Sequence, residues 1–249
     1  MRHFSRFIAL AGLALAGFTT LPADAGIVIT GTRAVYPAQS REITVSLTNE
    51  DKKVPRLVQA WIDDGNEKTT PDKADVPFNL TPPVFRMEPG KSQSLRIVYT
   101  KEPLPADKES LFWLNVLEVP PKPTGDTAER NSLQFAFRTR IKLFFRPANL
   151  ASTVEDAPKQ LTWSLGSQGA KQVLEVRNPT PYYVSFQKVA LDAGGKLIDS
   201  DETGMVAPGG THVFPLKDRV GTLDSNAQVR FSIINDAGGF MPKTAPLKP

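Results

Sequence analysis

One segment of the chain alternates between apolar and polar side chains over an unusual length. From Leu133 to Phe145 every odd position is apolar or threonine, while four of the seven even positions from 134 to 146 carry Arg or Lys. A period of two predicts a β-strand with one apolar and one cationic face. Its 14 residues far exceed the typical strand of about five or six, so it either extends beyond its own sheet or pairs with another chain. Because a long unpaired apolar strand promotes aggregation, we infer that pairing is its purpose.

The rest of the chain indicates an all-β fold in two domains. Short alternating segments recur between turns that draw on 22 prolines and 17 glycines, a pattern typical of β-sandwiches. Pro147 cannot continue a β-ladder and residues 148–158 lack alternation, so we place the domain boundary there. We predict an N-terminal domain over residues 26–147, which carries the long strand, and a C-terminal domain over residues 148–249.

Residues 1–25 have the features of a cleavable secretory signal peptide. Two arginines precede a short apolar run, and Ala23-Asp24-Ala25 fits the small-residue cleavage pattern before Gly26. This run is short for a membrane span, and no other run approaches the roughly 20 apolar residues that a span needs. We predict an exported protein without direct membrane insertion, the alternative being an uncleaved N-terminal anchor.

Composition argues against most catalytic and metal chemistry. The chain has no cysteine, and its two histidines are His3 and His212, which makes disulfides and thiolates impossible and a transition-metal site improbable. Nothing near His212 resembles a nucleophile elbow, and the acidic runs 63–67 and 199–202 lack the ligand spacing of a calcium loop. A formal net charge of +4, with acids interleaved among the bases, does not indicate nucleic-acid binding. We predict a protein that is not an enzyme and uses no metal or cofactor.

Seven short motifs follow one another from residue 32 to residue 239. They are Thr32-Arg33-Ala34-Val35-Tyr36-Pro37, Gln59-Ala60-Trp61, Thr81-Pro82-Pro83-Val84, Glu109-Ser110-Leu111-Phe112-Trp113, Ile141-Lys142-Leu143-Phe144-Phe145-Arg146-Pro147, Asn178-Pro179-Thr180-Pro181-Tyr182-Tyr183 and Asn235-Asp236-Ala237-Gly238-Gly239. In this order, behind a signal peptide, they resemble the periplasmic pilus chaperones of the chaperone–usher pathway, the PapD-like family.

The resemblance implies two immunoglobulin-like β-sandwiches set at an angle, in an L shape with a cleft between them, and a location in the periplasm. It also implies a role for the long strand: a chaperone of this family adds its own strand to a pilus subunit that lacks one, a form of β-strand addition. By position the donated residues are Asn131, Leu133, Phe135 and Phe137. We expect the remaining apolar positions of the strand, Ile141, Leu143 and Phe145, to pack inside the chain's own sandwich instead.

The resemblance assigns further residues by motif. Two cations in the cleft, Arg33 and Lys142, would bind the carboxylate at the subunit's C-terminus, and an ion network of Glu109, Arg146 and Asp236 would join the domains. We expect Arg138 and Arg140 to be solvated. A surface for an outer-membrane usher is expected to include Leu57, Thr81, Pro82, Pro83 and Arg96.

Alternative functions lead to different expectations. A structural or adhesive two-domain component of a surface fibre would carry a donor extension at its N-terminus or lack a strand. A carbohydrate-binding sandwich would expose tryptophans in loops, whereas Trp61, Trp113 and Trp163 lie in strand-like runs that favour the core. Self-association through the donor edge stays open. We predict a chaperone that binds, folds and caps pilus subunits and delivers them to the usher.

Overall fold

The computed structural model describes residues 26–122, 133–221, 223 and 226–248. The predicted signal peptide and Asn131 lie outside these residues. Within them the regular structure is β-strand apart from short 3-10 turns at Pro71–Lys73 and Ala157–Lys159, and no helix is long and apolar enough to cross a membrane.

Nine strands, β1 to β9, build the first sandwich. In chain order they are Ile27–Ile29, Arg33–Pro37, Ile43–Asn49, Arg56–Asp63, Phe78–Thr81, Val84–Met87, Ser92–Tyr99, Ser110–Val119 and Phe137–Arg146. One sheet has the order β1-β3-β7-β5, and the facing sheet has the order β2-β9-β8-β4-β6. All pairings in these two sheets are antiparallel except that of β2 with β9, which is parallel.

The core of the first sandwich follows from the alternation of its strands. Ile141, Leu143 and Phe145 are buried in it, which confirms that this part of the long segment packs inside the chain's own domain. The rings of Tyr36 and Phe78 pack close to Phe145, with centroids 6.0 and 6.2 Å from it. Aromatic contacts of this kind add to the apolar burial that stabilises a domain without disulfides.

Eight strands, β10 to β17, build the second sandwich. In chain order they are Thr162–Gln168, Lys171–Arg177, Val184–Asp192, Leu197–Asp199, Gly204–Val206, Thr211–Pro215, Gln228–Ile234 and Phe240–Lys248. Its strands are hydrogen-bonded in the order β13-β12-β16-β17-β10-β11-β15, with β14 beside β12, and β17 pairs with β16 on one side and β10 on the other. Trp163 fills the centre, with the rings of Phe186, Phe214 and Phe231 around it at 5.1 to 6.0 Å.

The long alternating segment is only partly a strand. Strand β9 begins at Phe137, and residues 133–136 have no ladder partner among the described residues, so the prediction of a 14-residue strand was too long. The neighbouring strand explains the difference. Strand β8 ends at Val119, and Pro120 and Pro121 follow it. Since proline has no backbone N–H to donate and disfavours continued pairing, β8 cannot extend to match residues 133–136.

Candidate functional site

Strand β9 has one fully paired edge and one half-paired edge. Strand β8 pairs with it from Phe137 to Phe145. On the other edge, β2 pairs only from Lys142 to Arg146, because β2 begins at Arg33, directly opposite Lys142. Residues 137–141 of β9 therefore have no strand beside them on this edge within the described part of the chain. The open edge ends at the Arg33–Lys142 pair.

Arg33 lies where the first domain meets the second. One terminal nitrogen of its guanidinium donates a hydrogen bond to the backbone oxygen of Ile234, at 3.0 Å. The guanidinium carbon lies 5.8 Å from the centroid of the Phe144 ring. Its Nε is buried and has no hydrogen-bond partner in the described structure. Burial lowers the pKa of Arg33, and the negative charges of Asp236 and Glu109 oppose that shift. Arg33 is therefore a partly desolvated cation at the junction of the two domains.

Lys142 is a second, partly desolvated cation beside Arg33. Its Nζ lies 3.3 Å from the Oγ of Ser185, which comes from the second domain, and 5.8 Å from the centroid of the Trp113 ring. Burial, followed by the positive charge of Arg33, lowers the pKa of Lys142 from 10.5 to about 8. Two like charges in a partly buried position favour a bound anion, since a carboxylate would offset the repulsion between them.

Sequence reasoning missed Ser185. It lies two residues after Tyr183, with Val184 between them, but no pattern in the sequence says which residue of the second domain meets Lys142. Its hydroxyl is buried, so it holds the ammonium from the side of the second domain.

Arg146 connects Glu109 to Asp236, so the structure brings the three residues together. The Nε of Arg146 donates to Glu109 at 2.7 Å, and its two terminal nitrogens donate to Asp236 at 2.6 and 3.0 Å. The second oxygen of Glu109 accepts the backbone N–H of Tyr183 at 2.8 Å. Burial raises the pKa of Glu109, and the charge and hydrogen bonds of Arg146 and Tyr183 oppose that rise. Arg146 and Glu109 of the first domain are therefore both bonded to the second domain, to Asp236 and to the Tyr183 N–H respectively.

The turn that carries Asp236 lies close to the start of β2. Gly238 adopts φ +83°, a conformation that favours glycine. A Cβ at Gly238 would lie 2.6 Å from the Oγ1 of Thr32. Glycine thus allows the turn to approach the first domain. A cavity of about 380 Å³ lies beside this contact, lined by residues that include Arg33, Phe144, Tyr182 and Asp236.

The proposed donor residues are strongly exposed. Leu133 is 78% exposed, and Phe135 and Phe137 are each 58% exposed. The rings of Phe135 and Phe137 lie 6.2 Å apart, on the same side of the segment. Three neighbouring apolar side chains exposed to this degree indicate a surface that binds another protein.

Arg138 and Arg140 are ion-paired rather than free cations, so the expectation that both are solvated was wrong for Arg140, which is partly buried, while Arg138 remains exposed. Both bind Asp63, whose side chain is fully buried: Arg140 at 2.5 Å and Arg138 at 3.4 Å. Asn115 donates to the same carboxylate at 2.7 Å. Burial opposes ionisation of Asp63, but the hydrogen bonds from Arg140, Asn115 and the Gly65 N–H lower its pKa. Strand alternation could show that the arginines share a face, but not that a carboxylate from β4 lies beneath them.

Two tryptophans belong to the same outer face of the sheet. Arg138 stacks on Trp61 at 4.8 Å from the ring centroid, and Arg140 stacks on Trp113 at 4.6 Å. Trp163 lies in the second core as predicted, and Trp61 is also buried. Trp113 is only partly buried, outside the core, so its assignment to the core was wrong.

The five residues assigned to usher binding lie at the surface of the first domain. Thr81 and Arg96 are paired across β5 and β7, and the chain crosses to the other sheet at Pro82 and Pro83. Leu57, on β4, is 48% exposed. The structure places four of them around one sheet edge and Leu57 on the adjacent sheet.

Comparison with known proteins adds evidence independent of this geometry. Residues 26–151 match the family model "Pili and flagellar-assembly chaperone, PapD N-terminal domain", and residues 156–245 match "Pili assembly chaperone PapD, C-terminal domain". The probable fimbrial chaperone YadV of Escherichia coli is 44% identical over 225 residues, which are 90% of this chain and 90% of that protein.

Two solved structures extend the comparison. The crystal structure of the Pseudomonas aeruginosa CupB2 chaperone is 43% identical with a TM-score of 0.74, covering 89% of this chain and 100% of that one. The Salmonella enterica SafB chaperone, solved in complex with the SafA pilin, is 28% identical with a TM-score of 0.73, covering 91% and 99%. These matches confirm the predicted fold of two immunoglobulin-like sandwiches in an L shape. The chain belongs to the PapD family of pilus assembly chaperones.

Proposed function

We propose that this protein is a periplasmic chaperone that binds pilus subunits by donating residues 131–137 and the open edge of β9 to them. The open edge of β9 is the observation that carries this proposal. The SafB chaperone, which shares the fold, was solved bound to a pilin. The alternative, a fibre component that donates an N-terminal extension, is not favoured, because the exposed apolar segment precedes β9 in the middle of the chain.

The geometry of the edge defines how a subunit strand would lie. A strand placed beside residues 137–141 occupies the same position in the sheet as β2 and meets the start of β2 at Arg33. From Lys142 to Phe137 this edge is about 17 Å long, at roughly 3.3 Å per residue. If the subunit strand ends with its carboxylate at Arg33 and Lys142, it runs parallel to β9, as β2 does.

Side-chain parity then determines which residues enter the subunit. Leu133, Phe135 and Phe137 share the parity of Ile141, which faces the chaperone's own core. They would continue that apolar face into a groove of the subunit. Burial of one large apolar side chain is worth about 1.5–3 kcal/mol, so three could contribute roughly 5–9 kcal/mol before ordering costs. Asn131, outside the described residues, is proposed as the next member of the series.

The two cations would set the register of the complex. A terminal carboxylate can accept charge-assisted hydrogen bonds from Arg33 and Lys142, and both cations are only partly buried, so a ligand can reach them. A shift of one residue along the edge would turn every donor side chain to the wrong face. Backbone pairing along the edge does not depend on the subunit's sequence, so the anchored carboxylate would fix which residues of the two strands lie opposite each other.

The remaining assignments complete the proposal. Glu109, Arg146 and Asp236 hold the angle between the domains, and residues 1–25 direct export and are removed before Gly26. The chaperone then delivers the subunit to an outer-membrane usher through a surface that includes Leu57, Thr81, Pro82, Pro83 and Arg96, without catalytic chemistry of its own.

The anchor is tested by co-purification of subunits from the periplasm. Arg33→Ala and Lys142→Ala should each abolish recovery of subunit complexes while the variants stay folded by circular dichroism. Arg177→Ala, which removes an exposed cation of the second domain, is the matched control and should leave recovery unchanged. Recovery of subunits at full yield with both cleft variants would refute the anchor.

The donor segment is tested with a change of polarity. Phe135→Asp should reduce subunit recovery at least tenfold, because a charge would enter the apolar groove. Leu197→Asp alters a leucine of the second domain that is 47% exposed and should have no effect. Undiminished binding by the Phe135 variant would show that the segment does not enter the subunit.

A further inference from the structure

Glu118 is a buried carboxylate that the proposed function does not use. It lies on β8 opposite Val58 and Phe137, on the face of the sheet that also carries the core residue Val116. The residue is only 9% exposed. No basic side chain of the described residues forms an ion pair with it, and its hydrogen bond comes from the backbone N–H of Ile27, at 2.6 Å. A buried carboxylate is costly unless a positive charge compensates it.

Gly26 lies directly against this carboxylate. A Cβ built on Gly26 would be 2.3 Å from Oε2 of Glu118 and 2.6 Å from Oε1, so only glycine fits unless Glu118 moves. Adding the roughly 1.5 Å of one carbon–carbon bond places the Cα of Gly26 within about 3.8 Å of Oε2, and its nitrogen is one further bond away. The backbone oxygen of Gly26 accepts the N–H of Glu50 at 3.1 Å, which fixes the position of the residue.

We propose that Glu118 binds the α-ammonium group of Gly26 once the signal peptide has been removed. This inference rests on the proposed cleavage before Gly26. A signal peptidase would add water across the Ala25–Gly26 peptide bond: the carboxylate remains on Ala25, and the nitrogen of Gly26 becomes a protonated amine. That amine carries a positive charge and donors that a peptide nitrogen lacks. The carboxylate would then bind the ammonium together with the adjacent Ile27 N–H.

The position of this pair gives it a structural consequence. Ile27 belongs to β1, which pairs with β3 in the four-stranded sheet, whereas Glu118 belongs to β8 in the five-stranded sheet. Glu118 is also the ladder partner of Phe137, the first residue of β9. The ion pair therefore joins the two sheets at the point where the proposed donor segment enters the sandwich. In the precursor only the Ile27 N–H joins the sheets at this point, and removal of the signal peptide would add the ammonium charge to that joint.

The reactivity of the amine tests the proposal. Protein purified from the periplasm is first checked by intact mass for a chain that begins at Gly26. It is then treated near neutral pH with an N-terminus-selective acylating reagent, and the modification rate at Gly26 is followed by mass spectrometry. An ammonium held by a carboxylate gives up its proton less readily, so we expect acylation in the native protein to be about tenfold slower than in Glu118→Gln, which corresponds to one unit of pKa.

Matched variants separate the ion pair from a general effect. Glu88→Gln removes an exposed glutamate of the same domain and should leave the rate unchanged. Glu118→Asp keeps the charge on a shorter side chain and should give an acylation rate between those of wild type and Glu118→Gln. If Glu118→Gln does not fold, Glu118→Asp provides the comparison with wild type instead. Acylation should lower the thermal midpoint of the wild-type protein by roughly 4 °C or more, and that of Glu118→Gln should not change.

The outcomes distinguish this inference from the function on which it rests. Equal acylation rates in wild type and Glu118 variants, in a chain that begins at Gly26, would refute the ion pair alone. A mature chain that begins at another residue would refute the cleavage position and this inference with it. Subunit co-purification depends on Arg33 and Lys142 and would report on the chaperone function independently of either result.

Discussion

Raising the pH should weaken the binding of subunits, because the anchor requires a protonated Lys142. Burial and the charge of Arg33 lower the pKa of Lys142 to about 8. At pH 7 about nine-tenths of the free protein then carries the ammonium, and at pH 9 about one-tenth does. If only the protonated form binds the carboxylate, the apparent Kd should rise roughly tenfold between pH 7 and pH 9.

The stability of the free chaperone should change in the opposite direction. The pKa of Lys142 is lower in the folded chain than the ordinary 10.5 expected when unfolded. Between about pH 8 and 10.5 the unfolded state therefore holds more protons, and the free energy of unfolding contributed by this group increases with pH. Weaker binding at pH 9 thus cannot be attributed to unfolding caused by Lys142.

The measurement is a titration with a synthetic peptide that carries the C-terminal strand of a co-purified subunit and ends in a free carboxylate. Lys142→Arg keeps the charge over the whole range and should make the Kd independent of pH from 7 to 9. Lys188→Arg, on the surface of the second domain, should retain the tenfold change. A wild-type Kd that does not vary with pH, or a Lys142→Arg variant that varies as strongly as wild type, would refute the reasoning.

Two further predictions concern buried carboxylates. Asp63→Ala should lower the free energy of unfolding by about 1–3 kcal/mol, because it removes the buried carboxylate that binds Arg138, Arg140 and Asn115 and leaves Arg140 only its ion pair with the exposed Glu67; urea denaturation measures this, and a loss within about 0.5 kcal/mol, like that expected for the exposed neighbour Asp64→Ala, would contradict it. Since the pKa of Asp63 is lowered by folding, its contribution should be present above the unfolded pKa and decline as the pH falls through the folded value. Glu109→Ala should remove the acceptor of the Tyr183 N–H in the second domain and the carboxylate that holds Arg146 in place toward Asp236, and so let the sandwiches unfold in separate calorimetric transitions; one unchanged transition would show that the triad does not couple them.

Comparison of the predictions with the structure shows where local patterns were informative. Period-two alternation identified β9 and the core positions Ile141, Leu143 and Phe145, because a strand that covers a core must alternate. The same pattern overestimated the length of the strand, because pairing also requires a neighbouring strand and β8 ends before Pro120. It also did not reveal that Arg138 and Arg140 form ion pairs, because the carboxylate of Asp63 that binds them lies 77 positions from Arg140 in the chain.

By itself, the alternation in the sequence determined the all-β class, the position of strand β9 and the apolar residues that it presents, because each depends on neighbours one or two positions away. The roles of Arg33, Lys142 and the Glu109–Arg146–Asp236 group came from motif resemblance, and spacing alone would not have singled them out. Only the tertiary structure decided that Arg33 lies opposite Lys142, that Ser185 reaches that lysine from the other domain and that Glu118 meets Gly26. These contacts join residues tens of positions apart, and their energies depend on burial, which exists only once the sheets have packed.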